Sequence, residues 1–109
     1  MRLNALTNYK TLAAAGLLAL AGQASAQDAA ALRQQALAAT CANCHGTQGR
    51  AVEGAAVPGL AGMPAVYLVE QMKAFKAGTR PATVMHQLAK GYSDAQIEQI
   101  AAYFAAQKK

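Results

Sequence analysis

Cysteine is nearly absent from this 109-residue chain. There are two, Cys41 and Cys44, and a bridge between them would close a loop too small to stabilise much. A disulfide-stapled scaffold is therefore excluded. Outside that cluster only His86 is a strong zinc ligand, so a four-ligand structural zinc site is not expected. Beyond residue 26 the aromatics are Tyr67, Phe75, Tyr92, Tyr103 and Phe104, and much of the apolar content is alanine. Such a chain buries little apolar area per residue. Acidic residues are scarce too. Beyond residue 26, eight basic residues stand against five acidic ones, a net of +3, which biases the surface mildly toward acidic partners without a nucleic-acid signature. The apolar run Leu12–Gly22 is too short to span a bilayer. No stretch alternates with period two over a strand length, and there is no internal repeat or low-complexity linker.

What is present is concentrated in Cys41-Ala42-Asn43-Cys44-His45, a C-x-x-C-H run, the attachment signature of a c-type haem. Two thiols offset by three residues match the spacing of the two haem vinyl groups when the segment makes one helical turn. A histidine directly after the second cysteine then lies under the iron, where an imidazole nitrogen can serve as axial ligand. The competing readings of C-x-x-C are weaker here. Thioredoxin-like redox chemistry needs a βαβ surround, and adjacent Cys44 and His45 make awkward corners of one zinc tetrahedron. With no second such motif, one covalent haem per chain is expected.

The N-terminus supports this. Arg2 and Lys10 flank a polar start, Leu12–Gly22 is apolar, and Ala24-Ser25-Ala26 has the A-x-A form of a cleavage site. Residues 1–26 are expected to be a secretory signal peptide, and residues 27–109 one monohaem domain of 83 residues. No cysteine in the leader invites lipid attachment, and no twin arginine is present. Export of an unfolded chain to the bacterial periplasm, without membrane insertion after cleavage, fits haem attachment on the far side. A domain this small is marginal on its own apolar core, and a haem supplies what is missing.

The expected fold class is all-α, with about four helices around the haem. A first helix is expected from Asp28 to Cys44, with Leu32, Ala36 and Ala39 on its inner stripe. A second begins at Pro64 and stops before Gly78, with Leu68, Met72 and Phe75 inward. A short helix spans Val84 to Lys90. The last follows Ser93, whose pairing with Gln96 has the form of a capping box, and turns Ile97, Ile100, Ala101 and Phe104 inward. The second axial ligand is sought among Met63, Met72 and Met85, since a thioether favours ferrous iron and raises the potential. Position alone does not choose among them. His86 is a further candidate, although an exposed structural histidine is the ordinary reading of it.

The residues around these points resemble a class I cytochrome c over the whole of residues 27–109. Cys44-His45-Gly46-Thr47-Gln48-Gly49 is similar to the family's C-H-G-x-x-G, and Pro58-Gly59-Leu60 to its P-x-L element. The segments Tyr67–Met72 through Gly78, Val84–Gln87, Tyr92–Asp94 and Ala101–Phe104 resemble a periplasmic subgroup. That subgroup includes diheme cytochromes and the cytochrome subunit of flavocytochrome c sulfide dehydrogenases. The resemblance implies that the Pro58 carbonyl accepts a hydrogen bond from the His45 imidazole, that Leu60 packs on the haem ring, and that Met85 is the second iron ligand. It departs in one respect, since several relatives carry two haem units or bind a flavoprotein, whereas this chain has one unit and no flavin motif.

The expected function is one-electron transfer by a periplasmic cytochrome with haem c held by Cys41, Cys44, His45 and Met85, rather than an enzyme. Its partners are then redox proteins, such as a flavoprotein dehydrogenase or a terminal oxidase, and not nucleic acid. A basic set, Lys73, Lys76, Arg80 and Lys90, is the candidate for steering an acidic partner. The alternatives are an electron-accepting subunit of a sulfide or other reduced-sulfur dehydrogenase, and, less favoured, a gas-binding haem protein with an open sixth position.

Overall fold

Proline, glycine and hydroxyl side chains punctuate this chain where its helices begin and end. The computed structural model describes residues 27–109, so the expected signal peptide lies outside the described residues. Residues Gln34–Lys109 form one compact unit, and residues 27–33 belong to another. Five α-helices and one 3₁₀ turn are found among the described residues, with no strand. No helix among them is long and apolar enough to cross a membrane.

The first helix, α1, covers residues 27–39 and does not run on to Cys44 as the sequence pattern suggested. Its end has a local cause. The Thr40 hydroxyl donates back to the Leu37 carbonyl (2.9 Å), and the Cys41 N–H reaches Ala38 rather than Leu37 (3.1 Å). The last turn tightens and the regular ladder stops. A separate single turn, α2 (Ala42–His45), then begins behind Cys41. The inner face of α1 also differs from expectation, and Leu32 is exposed. Ala36 and Ala39, expected inside, are exposed, whereas Leu37 and Ala38 face the core.

The later helices follow the sequence closely. The third, α3 (Ala65–Ala77), starts after Pro64 at φ −57°. It stops at Gly78, whose left-handed backbone directs its N–H back to Ala74 and Phe75. The short α4 (Met85–Lys90) has no side-chain cap at Val84. The last, α5 (Asp94–Ala105), opens with a complete capping box. Gln96 donates its N–H to Ser93 Oγ (3.2 Å), and its Oε1 accepts the Ser93 N–H (2.8 Å). Ile97, Ile100, Ala101 and Phe104 are all buried, as their spacing requires.

Helix α3 packs against both α4 and α5. Ala38, Leu68, Ile100, Ala101 and Phe104 form the central cluster, with Leu37, Cys41, Leu60, Met63 and Tyr92 packed against it. Two of the expected steering charges prove to have internal work. Lys76 donates to the Tyr92 carbonyl (2.7 Å) and pairs with Asp94 (3.1 Å), joining α3 to the start of α5. Arg80 bonds Gln71 and lies over the Phe75 ring at 4.5 Å.

Candidate functional site

The turn α2 brings three chemically distinct side chains onto one stretch of helix. His45 and Cys44 both direct their N–H groups at the Cys41 carbonyl (3.0 and 3.3 Å). Residues three and four apart on such a turn share a face, so Cys41, Cys44 and His45 do too. Cys41 is partly buried and Cys44 exposed, and both are free thiols. Burial pushes the Cys41 thiol above its ordinary range, an effect the Thr40 hydroxyl opposes.

His45 is buried, at 8% exposure, and its Nδ1 lies 2.7 Å from the Pro58 carbonyl oxygen. A carbonyl only accepts, so Nδ1 carries the proton and donates. In the neutral ring that tautomer leaves Nε2 with its lone pair, which a metal ligand needs. The hydrogen bond fixes the ring orientation as well as the tautomer.

The loop between these two residues explains the glycines that follow His45. Gly46 has φ 83° and ψ 159°, a conformation essentially restricted to glycine, and a Cβ there would collide with the Arg50 carbonyl. The 3₁₀ turn Thr47–Gly49 carries Gln48 at φ 55°. Arg50 spans this turn, bonding Gln48 Oε1 (2.7 Å) and the Lys108 carbonyl (3.0 Å). The Gly49 carbonyl accepts from Leu60 (2.8 Å) and Ala61 (3.1 Å), and a Cβ added at Gly49 would run into the Phe104 ring. Pro58 and Leu60 are thus anchored to the same turn that follows His45.

The methionines separate less sharply. Met63 packs against the hydrophobic core and Met72 is half-buried on α3. Met85 is the first residue of α4, a different element from the Cys41–His45 turn, and is also half-buried. Beside it, His86 is not the exposed histidine anticipated from sequence. It is half-buried, and its Nδ1 is buried without a hydrogen-bond partner. The pattern-based reading also passed over Thr40 and Tyr92, whose hydroxyls meet at 2.9 Å beside Cys41. No local motif signals a pair 52 residues apart.

Among the described residues, no three of His, Cys, Asp and Glu are grouped to hold a metal ion, so nothing there supports a zinc site. With no strand among them, a thioredoxin-like surround is missing as well. Two unbridged thiols and a histidine with Nε2 free, on one turn, fit a covalently held haem. The model of the cytochrome c family matches residues 29–108. The chain belongs to the cytochrome c family.

Haem c, covalently bound, is accordingly its cofactor, and the family's chemistry is one-electron transfer. This cytochrome is 41% identical over 96 residues to a thiosulfate dehydrogenase electron acceptor of Thiomonas intermedia, covering 88% of this chain and 43% of that one. It is 39% identical over 72 residues to the cytochrome subunit of sulfide dehydrogenase of Chlorobaculum tepidum, covering 66% and 64%. To cytochrome c4 of Pseudomonas aeruginosa it is 41% identical over 98 residues, covering 90% and 45%. Among solved structures, cytochrome c4 of Acidithiobacillus ferrooxidans superposes with a TM-score of 0.57 at 38% identity, over 61% of this chain and 37% of that one. The match spans less than half the length of three of these four relatives.

Proposed function

We propose that this cytochrome is a periplasmic one-electron carrier in which Cys41 and Cys44 tether haem c while His45 and Met85 ligate its iron. The observation that carries the reading is the 2.7 Å hydrogen bond from His45 Nδ1 to the Pro58 carbonyl, on the same turn as the two thiols. When bound, the haem supplies an iron centre that cycles between ferric and ferrous states. The protein contributes the rest. Pro58 holds the imidazole in one tautomer and one orientation in both states, which keeps reorganisation small. Leu60, tied to Gly49, offers an apolar side chain to the ring. Two protein ligands leave no open position for oxygen or peroxide, so transfer rather than catalysis at iron is favoured. Export follows from the leader features, Arg2, Lys10, Leu12–Gly22 and Ala24-Ser25-Ala26.

A second reading is favoured by the relatives, two of which are named for dehydrogenases of thiosulfate and sulfide. In it, this cytochrome is the electron-accepting partner of a reduced-sulfur dehydrogenase. Purification of the mature holoprotein from its own periplasm, with mass spectrometry of what accompanies it, separates the two. A stoichiometric flavoprotein supports the subunit reading.

Ligation is tested by three variants. Met85→Ala is expected to keep covalent haem, lose the methionine–iron charge-transfer band, bind carbon monoxide when reduced, and have a lower potential. Met63→Ala and Met72→Ala are expected to keep the band, at most with a packing cost. A band that survives Met85→Ala and vanishes in Met63→Ala overturns the assignment. Wild-type protein that lacks the band and binds carbon monoxide at once supports a gas-binding protein instead.

A further inference from the structure

Tyr92 lies between two helices that depend on it differently. It follows Gly91, where α4 ends, and precedes Ser93, the cap of α5. Three elements hold it. Its carbonyl accepts from Lys76 of α3 (2.7 Å), its N–H donates to Ala89 of α4 (3.3 Å), and its hydroxyl meets Thr40 Oγ1 (2.9 Å). The donor in the last bond can be assigned. Thr40 has one hydroxyl proton and gives it to the Leu37 carbonyl (2.9 Å), so the Tyr92 hydroxyl donates and Thr40 accepts.

Thr40 is also the residue that stops α1 and immediately precedes Cys41. A continuous chain of hydrogen bonds therefore runs from Lys76 through Tyr92 to the neighbour of the first attachment cysteine. At the other end of the same segment stands α4, six residues long and beginning with Met85. A helix this short does not hold itself, and Val84 gives it no side-chain cap. Its position must come from packing on α3 and from what secures its C-terminal end. Tyr92 is that attachment.

We infer that the Tyr92–Thr40 hydroxyl pair, backed by Lys76 on the Tyr92 carbonyl, is a latch that holds α4 in place relative to the Cys41–His45 turn. Tyr92 is thereby a positioning residue for the second axial ligand, an inference that rests on Met85 being that ligand. The pair acts through geometry alone and touches neither attachment thiol through a strong bond, Thr40 Oγ1 lying 3.9 Å from Cys41 Sγ. Opening the latch frees α4 to move its methionine away, so a competing ligand gains access to the iron.

The experiment uses ferric holoprotein with imidazole as the competing ligand. Tyr92→Phe and Thr40→Val each remove the bond, and each is expected to tighten imidazole binding about three- to fivefold, with the methionine–iron band displaced at correspondingly lower imidazole. The double variant is expected to match the singles, since all three lack the same bond. Thr40→Ser keeps a hydroxyl acceptor and restores wild-type affinity. Ser93→Ala serves as the stability control, because it weakens α5 through its cap and leaves imidazole affinity unchanged. Unchanged affinity in Tyr92→Phe, or additive effects in the double variant, overturns the latch. Failure of the ligand reading looks different. There the band survives Met85→Ala, and the latch loses its object whatever Tyr92→Phe does.

Discussion

Gly46 sits between His45 and the turn that anchors its hydrogen-bond partner, and it has no freedom to change. Its backbone lies where other residues are rarely found, and an added methyl runs into the Arg50 carbonyl, a backbone atom that cannot swing aside. Gly54 has a similar φ of 76° but nothing within 4 Å of an added Cβ. The pair makes a controlled comparison. Gly54→Ala is expected to cost about 1 kcal/mol, the price of a left-handed alanine alone. Gly46→Ala is expected to cost more than about 3 kcal/mol, because the strained region and the collision add, and to disturb the His45–Pro58 bond with them. Denaturant midpoints of the two holoproteins give the energies. The His45 ring protons, followed by NMR, report the second effect. Equal losses in both variants would show that Gly46 is there for conformation only.

Helix ends in this cytochrome were legible where a single residue type enforces them. Pro64, Gly78, Ser93 and Gln96 set boundaries within a residue of expectation, because ring geometry, left-handed backbone and capping act locally. The break at Thr40–Cys41 was not legible, because threonine tolerates a helix interior and stops this one through a bond its neighbours permit. The three residues of the attachment turn were plain in the sequence, as was the partnership of His45 with Pro58 once the family resemblance was drawn. Tyr92, Lys76 and Asp94 were not, since their contacts join elements far apart in the chain. Lys76 holds the Asp94 carboxyl below its usual range, first through a hydrogen bond and then through its charge. A carboxylate whose folded pKa is depressed adds stability above its unfolded pKa and loses it as pH falls through the folded one. Urea midpoints of wild type and Asp94→Asn should therefore differ near neutrality and converge as the pH falls through the depressed folded pKa, once the carboxyl is protonated in both states. A gap that stays constant across that range would assign the effect to capping geometry rather than charge.

At the scale of the whole molecule, charge and core size govern different things. Lys76 and Arg80 are engaged in contacts within the chain, whereas Lys73 and Lys90 are exposed and, among the described residues, make no side-chain hydrogen bond or ion pair. Steering depends on the summed field, so Lys73→Glu is expected to slow electron transfer with an acidic redox partner and to weaken the fall of rate with salt, with a smaller loss of stability than Lys76→Glu because Lys73 reaches Asp94 through its field alone. Lys76→Glu is expected to slow transfer and to destabilise the fold as well, because it repels Asp94. Stopped-flow rates against ionic strength, beside thermal midpoints, distinguish the two. A salt-independent rate unaffected by Lys73→Glu would remove the steering role.

The apolar interior is small for a chain that must stay folded. Among the described residues the buried hydrophobic set is Ala38, Ala61, Leu68, Ala89, Ile97, Ile100, Ala101 and Phe104, and only four of these are larger than alanine. Val84 and Leu88 meanwhile stay about half exposed on and beside α4, the helix that begins with Met85. Hydrophobic stabilisation scales with apolar area withdrawn from water, and alanine withdraws little. A covalently bound haem would bring a large apolar ring to the Cys41–His45 turn, and a group that binds the folded chain alone shifts the folding equilibrium toward it. Removing the tethers with Cys41→Ala and Cys44→Ala together should therefore yield a chain of low helicity without a cooperative thermal transition, recovered in low amount because proteases reach it. Far-ultraviolet circular dichroism and calorimetry of the purified variant measure this directly. The holoprotein, by contrast, should melt in one transition, with the methionine–iron band lost at or before the helicity. A haem-free variant that melts cooperatively from wild-type helicity would mean that Leu68, Ile97, Ile100 and Phe104 suffice, and that the cofactor serves electron transfer without building the core.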